Sequence, residues 1–278
     1  MLRAGTTVIA AELRPPRAEL ESTEGMDAWI DLYHAVRALA RSDVRVFFTD
    51  SAVGTQEENN LRHLVNNLGR DVPRERVVPF LTTKHSLEFC VDYAEQVWQH
   101  GFSSLVVLGG DRSIGRPRCV EHAWQLRREI RRREPRLALG GWANPYAAAA
   151  AQVDYLLDAC FDAEFYLTQI VSHLHVAPVE RFIREAERRG VAMPGMFGVF
   201  YYRSANARTL ETLAQFLPVP IEPLTAEFAA GATPVEVCAR TLRAMMDIGV
   251  RHFYISNLPI GRAAATLAAI LERVGVTA

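Results

Sequence analysis

Lysine is almost absent from this chain. Of its 31 Lys and Arg residues only Lys84 is lysine, a bias that fits genomic base composition better than chemistry. Charge of either sign is not in excess. The 31 basic residues face 32 acidic ones, the formal net charge is −1, and no global field favours nucleic acid or an anionic membrane surface. Long apolar runs are missing too: none approaches the roughly 18 residues that a membrane helix needs. The opening MLRAGTTVIAAELRPP lacks the apolar stretch and cleavage site of a secretory signal. Cysteine is sparse, and Cys90, Cys119, Cys160 and Cys238 lie far apart along the chain with no metal or redox spacing. Reduced thiols in a cytoplasmic protein without a metal site are the expectation. No glycine-rich dinucleotide fingerprint follows the first apolar run. There is no linker, low-complexity tract or tandem repeat.

What remains is the composition of an ordinary globular protein, with 49% hydrophobic and 23% charged residues over 278 positions. Short β-rich runs alternate with amphipathic stretches. The strand candidates are TTVIAAEL, VRVFFTD, RVVPFLTT, SSLVVLGG, RLALGGWA, FYLTQIV, PGMFGVFY and RHFYISNL. Helical patterns such as SLEFCVDYAEQVWQHG and APVERFIREAERRG lie between them and end in Gly, a common helix stop. Near-continuous apolar strands separated by helices imply a parallel sheet covered on both faces. About eight such units in this length imply an α/β fold, a single (β/α)8 TIM barrel spanning residues 1–278. The long stretch from Leu217 to Thr233 leaves room for an extra helix.

A barrel places its active site at the C-terminal strand ends. Polar residues there include Glu12, Thr49, Asp50, Thr82 and Thr83, followed by Lys84 and His85. Further along come Asp111 and Arg112, Asn144, Thr168 and Gln169, and Asn257. Any one of these is as readily a helix cap or a satisfied core polar group as a functional residue. Together they describe a mouth suited to a polar heterocycle and to moving a proton.

Four segments resemble the methylenetetrahydrofolate reductase family, in order and over nearly the whole chain. AAELRPPRAE is similar to that family's FEFFPP start, and LVVLGGDRS to its ALRGD. LTQ at 167–169 is similar to ITQ, and DIGVRHFYISNLP to GVKHFHFYTLNR. The resemblance implies reduction of 5,10-methylenetetrahydrofolate to 5-methyltetrahydrofolate, normally with hydride passed from NAD(P)H through bound FAD. It implies that Glu12 is the acid that opens the imidazolidine ring and that Asp111 lies close to the reacting centre. It also implies that Gln169 hydrogen-bonds the pterin and that Thr49 falls where the family has a threonine near the flavin; Thr49 and Gln169 are assigned to the substrate site. The chemistry asks for these types: an acid near N10, a fixed carboxylate beside the developing cation, and an amide for the pterin edge. Tyr202, or its neighbours Phe200 and Tyr201, is a candidate for stacking on the folate. Thr82, Trp142 and Asn144 are assigned to the nicotinamide.

The departures concern the flavin. Relatives carry a His- and Glu-bearing loop after the fifth strand and a basic pair at the end of the following helix. Here the loop runs into Ala147–Ala151, and the basic pair falls on Leu157 and Asp158. The arginine of RGD is replaced by Gly109, and the third-strand histidine by Phe80. A pyrophosphate carries about two negative charges and is normally met by cations or helix N-termini. FAD is therefore doubtful, and NADH, or NADPH, is expected to give its hydride directly to the folate. Competing readings are a Schiff-base aldolase built on Lys84 and a non-catalytic folate-binding protein. The run QLRREIRRREPR is a solvated helix face or a docking patch. The oligomeric state stays open.

Overall fold

The eight β-rich runs form one closed sheet in which every strand is parallel to its neighbours, in chain order from β1 to β8. The computed structural model describes residues 7–16, 22–50, 61, 65–66, 68–69 and 72–276. The strands are β1 (Val8–Leu13), β2 (Arg45–Phe48), β3 (Val77–Thr82) and β4 (Ser104–Leu108). They continue with β5 (Ala138–Ala143), β6 (Phe165–Val171), β7 (Gly195–Phe200) and β8 (His252–Ser256). Closure is made by β1 on β8, with Val8 opposite His252 and Ala11 opposite Ile255. The fold is the (β/α)8 barrel that the alternation implied. The residues Arg17 to Glu19 of the first family-like segment fall outside the described residues.

The helices among the described residues are α1 (Ser22–Arg41), α2 (Leu87–Gln99), α3 (Ala123–Arg133), α4 (Ala149–Leu157) and α5 (Val176–Arg188). After β7 come three in succession: α6 (Ala207–Ala214), α7 (Ile221–Ala229) and α8 (Pro234–Asp247). The last is α9 (Ala263–Val274). The stretch from 217 to 233 thus holds an extra helix, α7. Its Glu227 carboxylate sits 2.9 Å from His173 Nε2, just beyond β6, and accepts from Arg240 at 3.0 Å. The other His173 nitrogen lies 2.8 Å from the Thr241 hydroxyl, so α7 and α8 are clamped together onto the end of β6. None of the described helices is long and apolar enough to cross a membrane.

Alternation along the strands produces two cores. Ala10, Phe47, Phe80, Val106, Phe165 and Met196 fill the barrel interior. Side chains of the opposite parity, such as Ala11, Phe48, Leu81 and Leu105, pack outward against the helices.

One arginine belongs to that outer core. Arg127 of α3 is 1% exposed, the largest fully buried side chain among the described residues. Its Nε and Nη2 donate to the Phe161 carbonyl at 2.8 and 2.5 Å, and Nη1 to the Val107 carbonyl at 3.3 Å. Its guanidinium carbon lies 4.7 Å from the centroid of the Phe161 ring. Around it Arg131 pairs with Glu164 and Asp162, Arg132 with Glu129, and Arg133 with Glu95. The Arg-rich run therefore braces β4 to the loop before β6, with ion-paired charge on its outer side. Arg127→Met keeps the length but leaves buried carbonyls without donors. It is expected to lower unfolding free energy by about 2–4 kcal/mol. Urea unfolding at unchanged slope checks this; an unshifted midpoint would remove the bracing role.

Candidate functional site

The C-terminal end of the barrel is where the strands stop being sealed. In the upper part of the sheet five strand residues keep part of their surface open: Glu12, Leu108, Trp142, Gln169 and Phe200. They come from β1, β4, β5, β6 and β7, and Leu108, Trp142 and Phe200 pack on the interior core. The result is a floor of two aromatic rings and one aliphatic chain, interrupted by a single acid and a single amide. Such a floor suits a flat heterocycle that is apolar on its faces and polar at its edges.

Glu12 continues the inward parity of Val8 and Ala10. Enough barrel surrounds it that burial drives its carboxyl up to about 7, against smaller opposing effects from the Ser256 hydroxyl, which donates to it, and from Arg14. Near neutral pH this acid holds its proton about half the time, the condition under which a general acid works best.

Gln169 sits at an irregularity. Leu167 is paired with Met196 but Ile170 with Gly198, so β6 carries one residue more than β7 there. The Gln169 Oε1 accepts from the Ile170 amide at 2.9 Å. Among the described residues its amide nitrogen has no partner, so it presents donors to the mouth.

Asp111 lies just beyond β4, where Oδ1 accepts from the Ser113 amide at 2.7 Å, the Ser113 hydroxyl at 2.9 Å and the Ile114 amide at 3.0 Å. These bonds hold its pKa below the usual carboxylate range, with a smaller contribution from Lys84. It is a fixed anion, and among the described residues Oδ2 has no partner. Lys84 was expected in an open mouth loop; it is instead 2% exposed. Its ammonium donates to the Ile114 and Arg116 carbonyls at 2.8 and 2.7 Å, pinning the β4 loop from below. Buried and tied to two carbonyls, this amine is turned away from the open mouth, which opposes the Schiff-base reading.

The arginine missing from the fourth-strand motif has a replacement that the sequence alone did not reveal. Arg118 folds back over Gly109, where an added Cβ would stand 2.8 Å from the guanidinium carbon. Its Nη2 donates to the Gly110 carbonyl and its Nη1 to that of Glu121 at 3.4 Å. The signal was the glycine pair itself, which leaves space for a side chain arriving from elsewhere.

Other candidates are engaged in holding the rim. Asp50 Oδ2 accepts from the Thr82 amide at 2.7 Å and its hydroxyl at 2.8 Å, and lies 2.8 Å from His85 Nε2. Thr82 is 2% exposed, so the structure spends this assigned nicotinamide contact on Asp50. The Thr49 hydroxyl donates to the Leu13 carbonyl at 3.4 Å, which fixes the end of β2 to β1. Asn144 shapes the turn before α4: its Oδ1 accepts from the Tyr146 amide at 3.1 Å. Tyr202 is buried with Leu210, Leu224 and Val237 under α6–α8, and Tyr201 in the outer core. Of the three aromatic candidates, Phe200 is the one on the barrel floor. Asn257, beyond β8, adopts a left-handed φ of 64° and donates to the Tyr201 carbonyl at 3.0 Å. Leu157 and Asp158 end α4, so they lie at the face opposite the mouth; the alanines that start α4 are on the mouth side. Two cysteines meet despite their separation in sequence. The Cys90 thiol donates to the Thr82 carbonyl at 3.7 Å and the Cys119 amide to the Thr83 carbonyl at 2.7 Å, which brings the two thiols close enough for each to raise or lower the other's pKa.

Fold and site together define a (β/α)8 barrel with an acid-bearing, aromatic-floored mouth. No family model matches this chain, and no curated protein matches it. Among solved structures it is similar to an uncharacterized protein from Clostridium thermocellum that binds two copies of 5-methyl-5,6,7,8-tetrahydrofolic acid. The two agree with a TM-score of 0.68 over 96% of each chain, at 16% sequence identity. At that identity the likeness establishes the fold.

The raised pKa of Glu12 has a consequence for stability. The folded state binds this proton more tightly than the unfolded state, from the ordinary 4.5 to about 7. Its contribution is full below the unfolded value and is lost as pH rises through the folded one. Glu12→Gln abolishes this loss. Relative to the variant, the wild type should lose roughly 2–3 kcal/mol between pH 4.5 and 7.5, read from urea midpoints. Parallel stability–pH curves would show that Glu12 is solvated and ordinary.

Proposed function

We propose that this chain reduces 5,10-methylenetetrahydrofolate to 5-methyltetrahydrofolate, with hydride taken directly from NADH or NADPH. The observation that carries the reading is Glu12, an acid of raised pKa in a floor otherwise made of Leu108, Trp142, Phe200 and Gln169. The four motifs similar to methylenetetrahydrofolate reductases and the folate bound by the Clostridium thermocellum protein support the choice of substrate.

In this scheme the Glu12 carboxyl gives its proton to N10 as the bond between N10 and the bridging carbon breaks, leaving a 5-iminium cation on the folate. Asp111, kept ionised by its turn, offers negative charge to that cation. The Gln169 amide donates to an acceptor on the pterin edge. Trp142 and Phe200 give flat surface to pterin and nicotinamide and exclude water. The nicotinamide supplies the hydride that turns the iminium carbon into a methyl group. Glu12, now a carboxylate in a poorly solvated place, regains a proton from solvent through the open mouth.

The absence of flavin in the scheme rests on the rim after β5. Ala147, Ala148, Ala150 and Ala151 present exposed methyl groups at the mouth side of α4, with no cation to meet a pyrophosphate. An FAD-dependent reductase with altered contacts is the nearest alternative. Arg118 favours it, being a cation close to the mouth, although its Nη groups are spent on its own loop. A folate-binding protein without turnover is favoured by the ligand of the Clostridium thermocellum protein.

Three results are expected of the purified protein. It carries no absorbance band at about 450 nm, the usual flavin region. It oxidises NADH or NADPH when methylenetetrahydrofolate is added without FAD. Initial-rate lines at several folate concentrations intersect, because direct transfer needs both substrates at once, with reacting carbons roughly 3–3.5 Å apart. Glu12→Gln should retain 5-methyltetrahydrofolate binding while turnover falls about 10²–10⁴-fold. Parallel lines with bound flavin would select the relay. Tight methyltetrahydrofolate binding with no nicotinamide oxidation would select the binding protein.

A further inference from the structure

The apolar plug of the barrel interior includes one phenol that the scheme above leaves without a role. Tyr254 of β8 is 1% exposed and packs among Phe47, Val106, Leu167 and Met196. Its ring centroid lies 5.9 Å from that of Phe47. A phenylalanine would fill the same space without a hydroxyl to desolvate, so the hydroxyl needs a partner that justifies it. That partner is the Thr168 carbonyl of β6, two strands away, at 2.5 Å.

The reach across β7 is possible because of Gly198. Gly198 stands directly opposite Tyr254 in the pairing of β7 with β8. A Cβ there would lie 2.4 Å from the Tyr254 hydroxyl oxygen and 2.5 Å from Cζ, distances that real Cβ atoms do not adopt. The carbonyl that receives the phenol belongs to the bulge between Leu167 and Ile170. In a regular parallel ladder that oxygen would take an amide from the next strand. In the bulge the Thr168 hydroxyl accepts from the Gly198 amide at 3.3 Å and donates to the Gln169 carbonyl at 2.9 Å. Thr168 is 0% exposed, so its carbonyl depends on a protein donor, and Tyr254 supplies it. Without that bond the bulge keeps its extra residue but holds a buried carbonyl without a donor. Relief of that cost by rotation of the 167–170 backbone would shift Gln169 from its place at the mouth.

We infer that Tyr254 is a positioning residue: through the Thr168 carbonyl, and over Gly198, it holds the β6 bulge that presents the Gln169 amide to the ligand. For the identity of the ligand this rests on the folate reading; the strut itself does not. Glu12 is held separately, by burial, Ser256 and Arg14. Its charge does reach the Tyr254 phenol, which stays neutral because burial and that charge both raise its pKa.

The test is a double-variant cycle on Tyr254→Phe and Gln169→Leu, read by equilibrium binding of 5-methyltetrahydrofolate. Tyr254→Phe removes one oxygen from a packed ring and should weaken binding roughly tenfold, the scale of one hydrogen bond. Gln169→Leu should cost about the same. The double variant should bind no worse than Gln169→Leu alone, because Tyr254 acts through Gln169. The pH midpoint of turnover, set by Glu12, should not move in Tyr254→Phe. Losses that multiply in the double variant, or unchanged affinity in Tyr254→Phe, would overturn the inference. If the wild type binds no methyltetrahydrofolate, the folate reading fails by itself. The crystal structure of Tyr254→Phe then decides: a rearranged 167–170 segment upholds the strut, and an unchanged bulge refutes it.

Discussion

Desolvation of one carboxyl group is the constraint on which the mouth of this barrel depends. A (β/α)8 barrel must fill its interior, and this one does so with Phe47, Phe80, Val106, Phe165, Leu167 and Met196. An ionisable group placed just above such a plug loses water on one side and keeps it on the other. Glu12 occupies that level on β1, and the same packing that stabilises the barrel lifts its pKa to about 7. The packing that stabilises the barrel thus also makes ionisation of Glu12 costly. A more polar interior would solvate Glu12 and remove its proton at neutral pH.

The other charged groups of the mouth are each held by two or three hydrogen bonds, whereas Glu12 has the Ser256 hydroxyl. Asp50 has the Thr82 amide and hydroxyl together with His85. Asp111 has three donors from its own turn, and Lys84 has two carbonyls. These bonds make a rigid rim from loops that would otherwise be mobile, and they remove charge from competition with the central acid. Glycine works in the same direction. Gly109 admits the Arg118 guanidinium, and Gly198 admits the Tyr254 phenol, so in each case a missing side chain lets a distant one cross.

Much of the architecture was legible because apolar runs alternate with amphipathic helices at a regular interval. The eight strand windows match the observed strands to within two residues at each end, as RVVPFLTT does for Val77–Thr82. The place of Glu12 at the mouth end of the first strand was legible from its position late in an apolar run. What was not legible arises where partners are remote in sequence. Arg127 looked like one arginine of a solvated run, yet its acceptors are the carbonyls of Val107 and Phe161. Thr82 and Tyr202 looked available from their position after a strand, and only packing shows the first held by Asp50 and the second buried under α6–α8. The bulge on β6 breaks the two-residue period that sequence reading depends on, and no residue type announced it. Leu157 and Asp158, read as flavin positions, end a helix on the far face, which moves the argument about flavin to the alanines on the near side.

The account stands on Glu12 being a half-protonated acid at neutral pH, and the direct measurement is a ¹³C NMR titration of the protein labelled at the glutamate side-chain carboxyl. One resonance should titrate with a midpoint at about 7, and it should vanish in Glu12→Gln. Glutamate resonances that all titrate in the ordinary range near 4.5, with none displaced in the variant, would contradict the account at its centre.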